Sequence, residues 1–296
     1  MKKLLIITFL LISNIGFSQL KSIIINSETK EKIPYVNIWV ENENIGTTSN
    51  EKGKFELEID GSKIIIFSAI GFETKKILSD SIKNVLELKP FVFELDEIVI
   101  KPRKQNRKLK IGKIRKSKIK AFYTSQAKPI IVTRYFGYKE KYNQTTFLDK
   151  IRILTYSQFI DSKFNIKLYG INNEGKPEGY IYSENITGIA KKGKNITEVD
   201  ISDLNIDFPK DGFFLAVEWL IIKSNEYELN TFIAEKEKRE KVVHYAPGIG
   251  FSPAKTDENN WVFRLGKWEK GNKSKIPLKK YKGKHQLLAI ELILTN

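Results

Sequence analysis

Two glutamates stand inside otherwise apolar runs, Glu218 in Leu-Ala-Val-Glu-Trp-Leu and Glu291 in Leu-Ala-Ile-Glu-Leu-Ile. Two carboxylates facing one another in a cleft are the apparatus of a glycan hydrolase, one acid kept protonated by its surroundings and the other charged. The same residues also suit the solvent-facing positions of sandwich strands, where a charge keeps an edge from adhering to another. The second reading is preferred, because burying two unpaired charges costs several kcal/mol.

Other chemistry is thin. The chain has no cysteine, which removes disulfides, thiolate metal sites and a cysteine nucleophile. Its two histidines, His244 and His285, lack partners at metal-ligand spacing and read as surface or loop residues. No phosphate loop, dinucleotide turn or Gly-x-Ser-x-Gly occurs. No cofactor is expected. Asn172 to Glu174 is oxygen-rich but lacks the calcium-loop spacing, and reads as a hairpin turn.

Tyr245, Trp261, Arg264 and Trp268 are candidate ligand contacts. They fall with His244 among Pro247, Gly248, Gly250 and Pro253, a composition that reads as loops. Exposed Trp and Tyr on a β scaffold stack on sugar rings or anchor protein partners. Trp261 lies in an apparent strand, however, where core packing is the commoner role.

Charge gives a further signal. The net charge is +16, and eleven Lys/Arg residues with no acid lie between Lys101 and Lys120. One reading is a solvated, self-repelling linker. The other is an electrostatic tether to an anionic surface through Lys108, Lys110, Lys113, Arg115, Lys116 and Lys118. Ile111, Ile114 and Ile119 interrupt the charges and lend weak amphipathic character.

The elements that would position these residues are strands. Phe55, Leu57 and Ile59 alternate with Lys54, Glu56 and Glu58, the pattern of a half-buried antiparallel strand. Asn50 to Gly53 is turn chemistry, with Gly53 free to take positive φ. Further strands are read at Ser22–Asn26, Pro34–Val40, Lys63–Ile70, Asn84–Leu88 and Glu97–Ile100. Beyond residue 122, strands are read at Ile130–Gly137, Ile151–Tyr156 and Phe164–Tyr169. Phe213–Ile222 is the longest apolar strand, and Glu235–Lys241 is a helical turn or loop. Short strands at this spacing suggest sandwiches.

The stretch IPYVNIWV, then IGTTSNEKGKFELEI, then KIIIFSAIGFETKKI resembles the carboxypeptidase-regulatory-like domain, a transthyretin-like β-sandwich. The resemblance implies a non-catalytic domain of the kind that accompanies enzymes, outer-membrane receptors and surface proteins of Bacteroidetes-like bacteria. Gly46 and Gly53 then serve tight turns, and Phe55 plugs a small core. Leu95 to Pro102, LDEIVIKP, is similar to the segment before the plug of outer-membrane receptors, but no series of barrel strands follows. The remainder resembles a jelly-roll-type sandwich.

The first residues carry Lys2 and Lys3, an apolar Leu4–Ile12, and small Gly16 and Ser18 ahead of Gln19, the pattern of a secretory signal peptide. The expectation is thus an all-β protein: signal peptide at 1–18, transthyretin-like sandwich at 19–100, basic linker at 101–121, and jelly-roll-like sandwich at 122–296. It is expected to be exported, whether periplasmic, outer-membrane-associated or secreted, and not to be an enzyme. The expected role is a binding module contacting envelope protein or glycan. Alternatives are an accessory subunit of an outer-membrane or surface complex and, less favoured, the hydrolase using Glu218 and Glu291. Nucleic acid is not an expected partner.

Overall fold

The computed structural model describes residues 18–91, 103–126, 128–233, 238–257, 260–276 and 278–296. The expected signal segment up to residue 17, the strand read at Glu97–Ile100 and the LDEIVIKP segment lie outside the described residues. The chain divides after Pro90 into two compact units, and both are all-β.

The first unit contains β1 (Ser18–Asn26), β2 (Asn37–Val40), β3 (Gly46–Thr48), β4 (Lys54–Ile59), β5 (Ile64–Ser68), β6 (Lys75–Leu78) and β7 (Val85–Leu88). They form a sheet in the order β4-β1-β7 and a sheet in the order β3-β2-β5-β6. β1 runs antiparallel to β4 and parallel to β7. The alternation read in β4 is present, with Phe55, Leu57 and Ile59 buried and the residues between them exposed. Those side chains meet Val36, Ile38, Ile65 and Phe67 in one core, and Phe55 packs edge-on against Phe67.

The turn before β4 is built by its own side chains. The Asn50 carboxamide oxygen accepts the backbone N–H groups of Lys52 and Lys54. Gly53 takes φ +69°, and a Cβ there would lie 2.7 Å from the Ile24 carbonyl oxygen, so both conformation and space call for glycine. Buried Ser49 ties the entry loop, accepting from Val36 N–H and donating to Ile33 O. Gly46 departs from expectation: it sits inside β3, opposite Trp39, and not in a turn.

Among the described residues, the strands of the second unit are first β8 (Lys108–Gly112), β9 (Ala121–Gln126), β10 (Ile131–Phe136), β11 (Phe147–Ser157) and β12 (Ser162–Ile171). Next come β13 (Pro177–Tyr180), β14 (Ile186–Ala190), β15 (Gly193–Asp200), β16 (Phe213–Trp219) and β17 (Glu226–Ile233). Then follow β18 (Lys238–Ala254), β19 (Trp261–Arg264), β20 (Lys267–Lys270), β21 (His285–Leu288) and β22 (Ile290–Thr295). Among the described residues, one sheet contains β10, β12–β14, β16, β19 and β20, and the other β8, β9, β11, β15, β17, β18, β21 and β22. Inward side chains of both sheets, including Phe164, Phe213, Val217, Ile151, Ile290 and Leu292, share a single core. This is the face-to-face layering expected for a jelly-roll-like sandwich.

Three sequence readings are corrected here. Within the expected 101–121 linker, the described residues from 108 onward are not a free linker. β8 pairs antiparallel with β22, setting Ile111 opposite Leu292 and Lys110 opposite Ile293. Leu109 and Ile111 turn into the core while Lys108 and Lys110 face water. That is ordinary strand alternation, and it supplies the apolar burial a solvated linker would lack. Secondly, the Pro- and Gly-rich region around residues 247–253 is no loop but part of the 17-residue strand β18. A Cβ at Gly250 would lie 2.8 Å from the Leu154 side chain, so glycine there admits a neighbouring strand's side chain instead of making a turn. Thirdly, Lys238–Lys241 are strand and not a helical turn.

Candidate anion-binding surface

The residues after β8 form a compact loop clamped onto the outer face of its sheet. Gly112 has φ +81°, and a Cβ there would lie 2.5 Å from the Ile290 carbonyl oxygen. The turn this permits brings Ile114 N–H to the Glu291 carboxylate, 2.9 Å away. Ile114 and the fully buried Ile119 pack with Leu154, Ala289 and Ile196 in a small outer-face cluster. At the far end, Lys120 N–H donates to the Tyr281 hydroxyl at 2.9 Å. The isoleucines that interrupt the charges in sequence are therefore the anchors that hold this loop down.

The loop's cations then project outward together. Ile114, Arg115, Lys116, Ser117, Lys118 and Lys194 line one open groove. Lys194, from β15, donates to Ile119 O at 2.6 Å, and Lys280 to Lys118 O at 2.7 Å. Among the described residues, no carboxylate forms a salt bridge with Arg115, Lys116, Lys118, Lys120 or Lys194. Partial burial, then the charges of Lys120 and Lys116, hold the Lys194 ammonium below the ordinary lysine value. All six expected tether residues, Lys108, Lys110, Lys113, Arg115, Lys116 and Lys118, are exposed. They sit on a folded scaffold rather than a flexible tether, and Lys108 lies 4.0 Å from Asp149.

Glu218 and Glu291 are not brought together. Glu218 lies on β16 and points away from the core, as do its pleat neighbours Phe214 and Ala216. Glu291 lies on β22, in the facing sheet, and also points outward. The whole core separates them. The expectation of water-facing charges is corrected as well, since both are at least 95% buried and each is neutralised. Lys167 Nζ approaches Glu218 Oε2 at 2.9 Å, with Asn165 Nδ2 at 3.4 Å. Arg152 Nη1 donates to Glu291 Oε2 at 2.5 Å. A cation on the neighbouring strand, Arg152 directly opposite Glu291 and Lys167 diagonal to Glu218, is what allows each carboxylate under cover.

Of the four expected ligand contacts, Trp261, Arg264 and Trp268 share the β19–β20 hairpin, while Tyr245 does not join them. Trp261 is buried on the outer face of its sheet, its indole N–H donating to Gly175 O at 2.9 Å, with the Lys270 ammonium 4.4 Å from its ring centroid. Trp268 packs edge-on against Tyr169 and Phe263 on that face. The hairpin turn at Asn172–Lys176 is confirmed by the Asn172 side chain, which accepts from Glu174 and Lys176 N–H. Arg264 lies beside Glu269. Tyr245 is in the other sheet, buried beside Glu226, and burial pushes its hydroxyl up to about 12. His244 is not a surface residue: it is buried in β18 between the Thr124 and Thr231 hydroxyls and stacked on Tyr227. Burial holds its imidazole below the ordinary value.

Sequence reasoning found the cations and missed the assembly. Lys194, some 75 residues downstream of the loop, carried no signal of its own; the alternation in Lys-Leu-Lys-Ile-Gly did, and the density of charge concealed it.

Taken together, the chain is an all-β protein of two sandwich units, the second bearing a cationic groove. Residues 23–100, which include most of the first unit, match the CarboxypepD_reg-like domain family. No curated protein matches the chain. Among solved structures it is similar to the cysteine protease and lectin-like domains of Cwp84, a surface layer associated protein of Clostridium difficile. There the identity is 11% and the TM-score 0.37, over 85% of this chain and 45% of that one. It is also similar to the structure of the infectious bursal disease virus Gx strain, at 9% identity and TM-score 0.27, over 93% of this chain and 58% of that one. The chain thus spans about half the length of these proteins, and likeness at this level assigns neither a ligand nor an activity.

Proposed function

We propose that the chain is an exported, non-enzymatic binding module that holds an anionic polymer or surface of the cell envelope in the groove between the 113–120 loop and Lys194. The observation that carries this reading is the convergence of Arg115, Lys116, Lys118 and Lys194 on one groove with no carboxylate paired to them among the described residues. Like charges held together by a rigid scaffold are costly unless an anion relieves them, and a site so built attracts anions. A CarboxypepD_reg-like domain on the same chain fits a binding role. The separation of Glu218 and Glu291 means that these two carboxylates do not act as a pair on one substrate. Export is supported by the signal-like residues before Gln19. A cut there leaves the β1 register from Gln19 opposite Glu58 to Ile23 opposite Lys54 intact.

The test compares residues 19–296 with the Arg115→Gln/Lys116→Gln/Lys118→Gln variant for co-sedimentation with lipopolysaccharide and with an acidic polysaccharide, at low and high salt. Wild type is expected to sediment at 0.1 M salt and to be released at 1 M, where the Debye length falls from ~10 Å to ~3 Å. The variant should stay in solution at both. Equal sedimentation of the two proteins would overturn the reading.

A further inference from the structure

Two aromatic rings stand beside Lys194, at the edge of the cationic groove. Lys194 is the cross-strand partner of Tyr156, and its ammonium lies 5.8 Å from the Phe122 ring centroid. The Phe122 and Tyr156 rings are 5.6 Å apart and tilted by 46°. Tyr156 is 46% exposed, although it stands in the middle of a sheet whose inward residues, Ile151 and Ile153, are fully buried. Phe122 is half-buried, and its inner side rests on the cluster that includes Ile119 and Leu154. A ring pair with an open side therefore adjoins Lys194, whose ammonium also feels the charges of Lys120 and Lys116.

We infer that this surface recognises an acidic glycan, a polymer in which each anionic group is carried on a pyranose ring. The inference rests on the anion-binding reading above and narrows it. Free phosphate, polyphosphate and lipid headgroups supply charge but no ring face at the matching position. An uncharged glycan supplies the ring but leaves the clustered ammonium groups unneutralised. A sugar C–H face lying on Tyr156 would place its carboxylate or sulfate toward Lys194 and the loop cations. Rings supply contact at low entropic cost, and the charges supply the salt-sensitive part. Bases of single-stranded nucleic acid also stack on aromatics beside cations, so that ligand is an arm of the test.

The experiment titrates residues 19–296 calorimetrically with oligogalacturonate, inorganic polyphosphate, uncharged dextran and oligothymidylate. Wild type should bind oligogalacturonate and fail to bind dextran. Tyr156→Ala should weaken oligogalacturonate binding about tenfold, the order of one lost aromatic contact, with an unchanged salt dependence and unchanged polyphosphate binding. Tyr156→Phe should restore it, which separates the ring from any effect on folding. If Tyr156→Ala binds oligogalacturonate as wild type does, the ring has no role and the acidic-glycan inference falls, while the anion-binding reading stands. Tighter, Tyr156-dependent binding of oligothymidylate would replace the glycan by nucleic acid. Oligogalacturonate affinity that is indifferent to the Arg115/Lys116/Lys118 triple replacement would remove both readings.

Discussion

The carboxylate of Glu291, on β22, accepts the backbone N–H of Ile114 from 177 residues earlier, at 2.9 Å. Its second oxygen receives Arg152. One buried acid thus fastens the start of the basic loop to the sheet beneath it. Glu291→Ala leaves Arg152 and the Ile114 N–H without that partner, and is expected to cost ~1–3 kcal/mol. The thermal midpoint should drop by several degrees, and polyanion binding should weaken although no exposed cation is touched. Calorimetry and co-sedimentation on the same preparation check both, and normal binding by a destabilised variant would show that the loop keeps its shape without Glu291.

On the opposite sheet, Glu218 is the partner of buried Lys167. Glu218→Ala strands a buried ammonium and should destabilise by ~3–5 kcal/mol, whereas the double change Lys167→Met/Glu218→Leu removes both charges and should lose less. Urea unfolding of the two variants decides this. A double variant no more stable than Glu218→Ala would contradict the pairing.

Stability should depend on pH through His244. Burial lowers its folded-state value below the ordinary 6.5, so below about pH 6.5 the unfolded chain takes up a proton that the folded chain refuses. Its contribution is fully present above the unfolded value and is lost as pH falls through 6.5 toward the lowered value. Melting wild type and His244→Asn between pH 7.5 and 5.5 should show a steeper loss in wild type. Parallel curves would assign the slope to other groups.

Trypsin gives a direct check on the basic segment. Lys110 is paired to β22 and Lys113 follows at the clamped turn, so cleavage after either should require unfolding of the second unit. Peptide masses at early time points should lack these cuts. Their early appearance would restore the free linker.

The first unit was legible because its chemistry is local. Alternation in β4, the Asn50–Gly53 turn and the Phe55 core all follow from residues close in sequence. The second unit hid where composition and environment disagree. β8 carries the charge of a linker on the pleat of a strand, and β18 carries the glycines and prolines of a loop, of which Gly250 leaves room for Leu154. Glu218 and Glu291 were correctly placed on outward faces, but nothing in their neighbourhoods announced that Lys167 and Arg152, on other strands, make burial tolerable. Lys194 and Tyr156 joined the site through β-pairing between β11 and β15, a relation that spacing along the chain does not encode.

The pairing of β8 with β22 has a consequence for the order of events in synthesis. The first described strand of the second unit waits for one of the last, and the Gly112 turn gains its hydrogen-bonding acceptor only when residue 291 has emerged. Contacts that span so much of the chain close late. Until then the lysines and arginines of the loop are separate charges on an open chain. The groove lined by Arg115, Lys116, Lys118 and Lys194 therefore comes into being only once the end of the chain has joined the sheet.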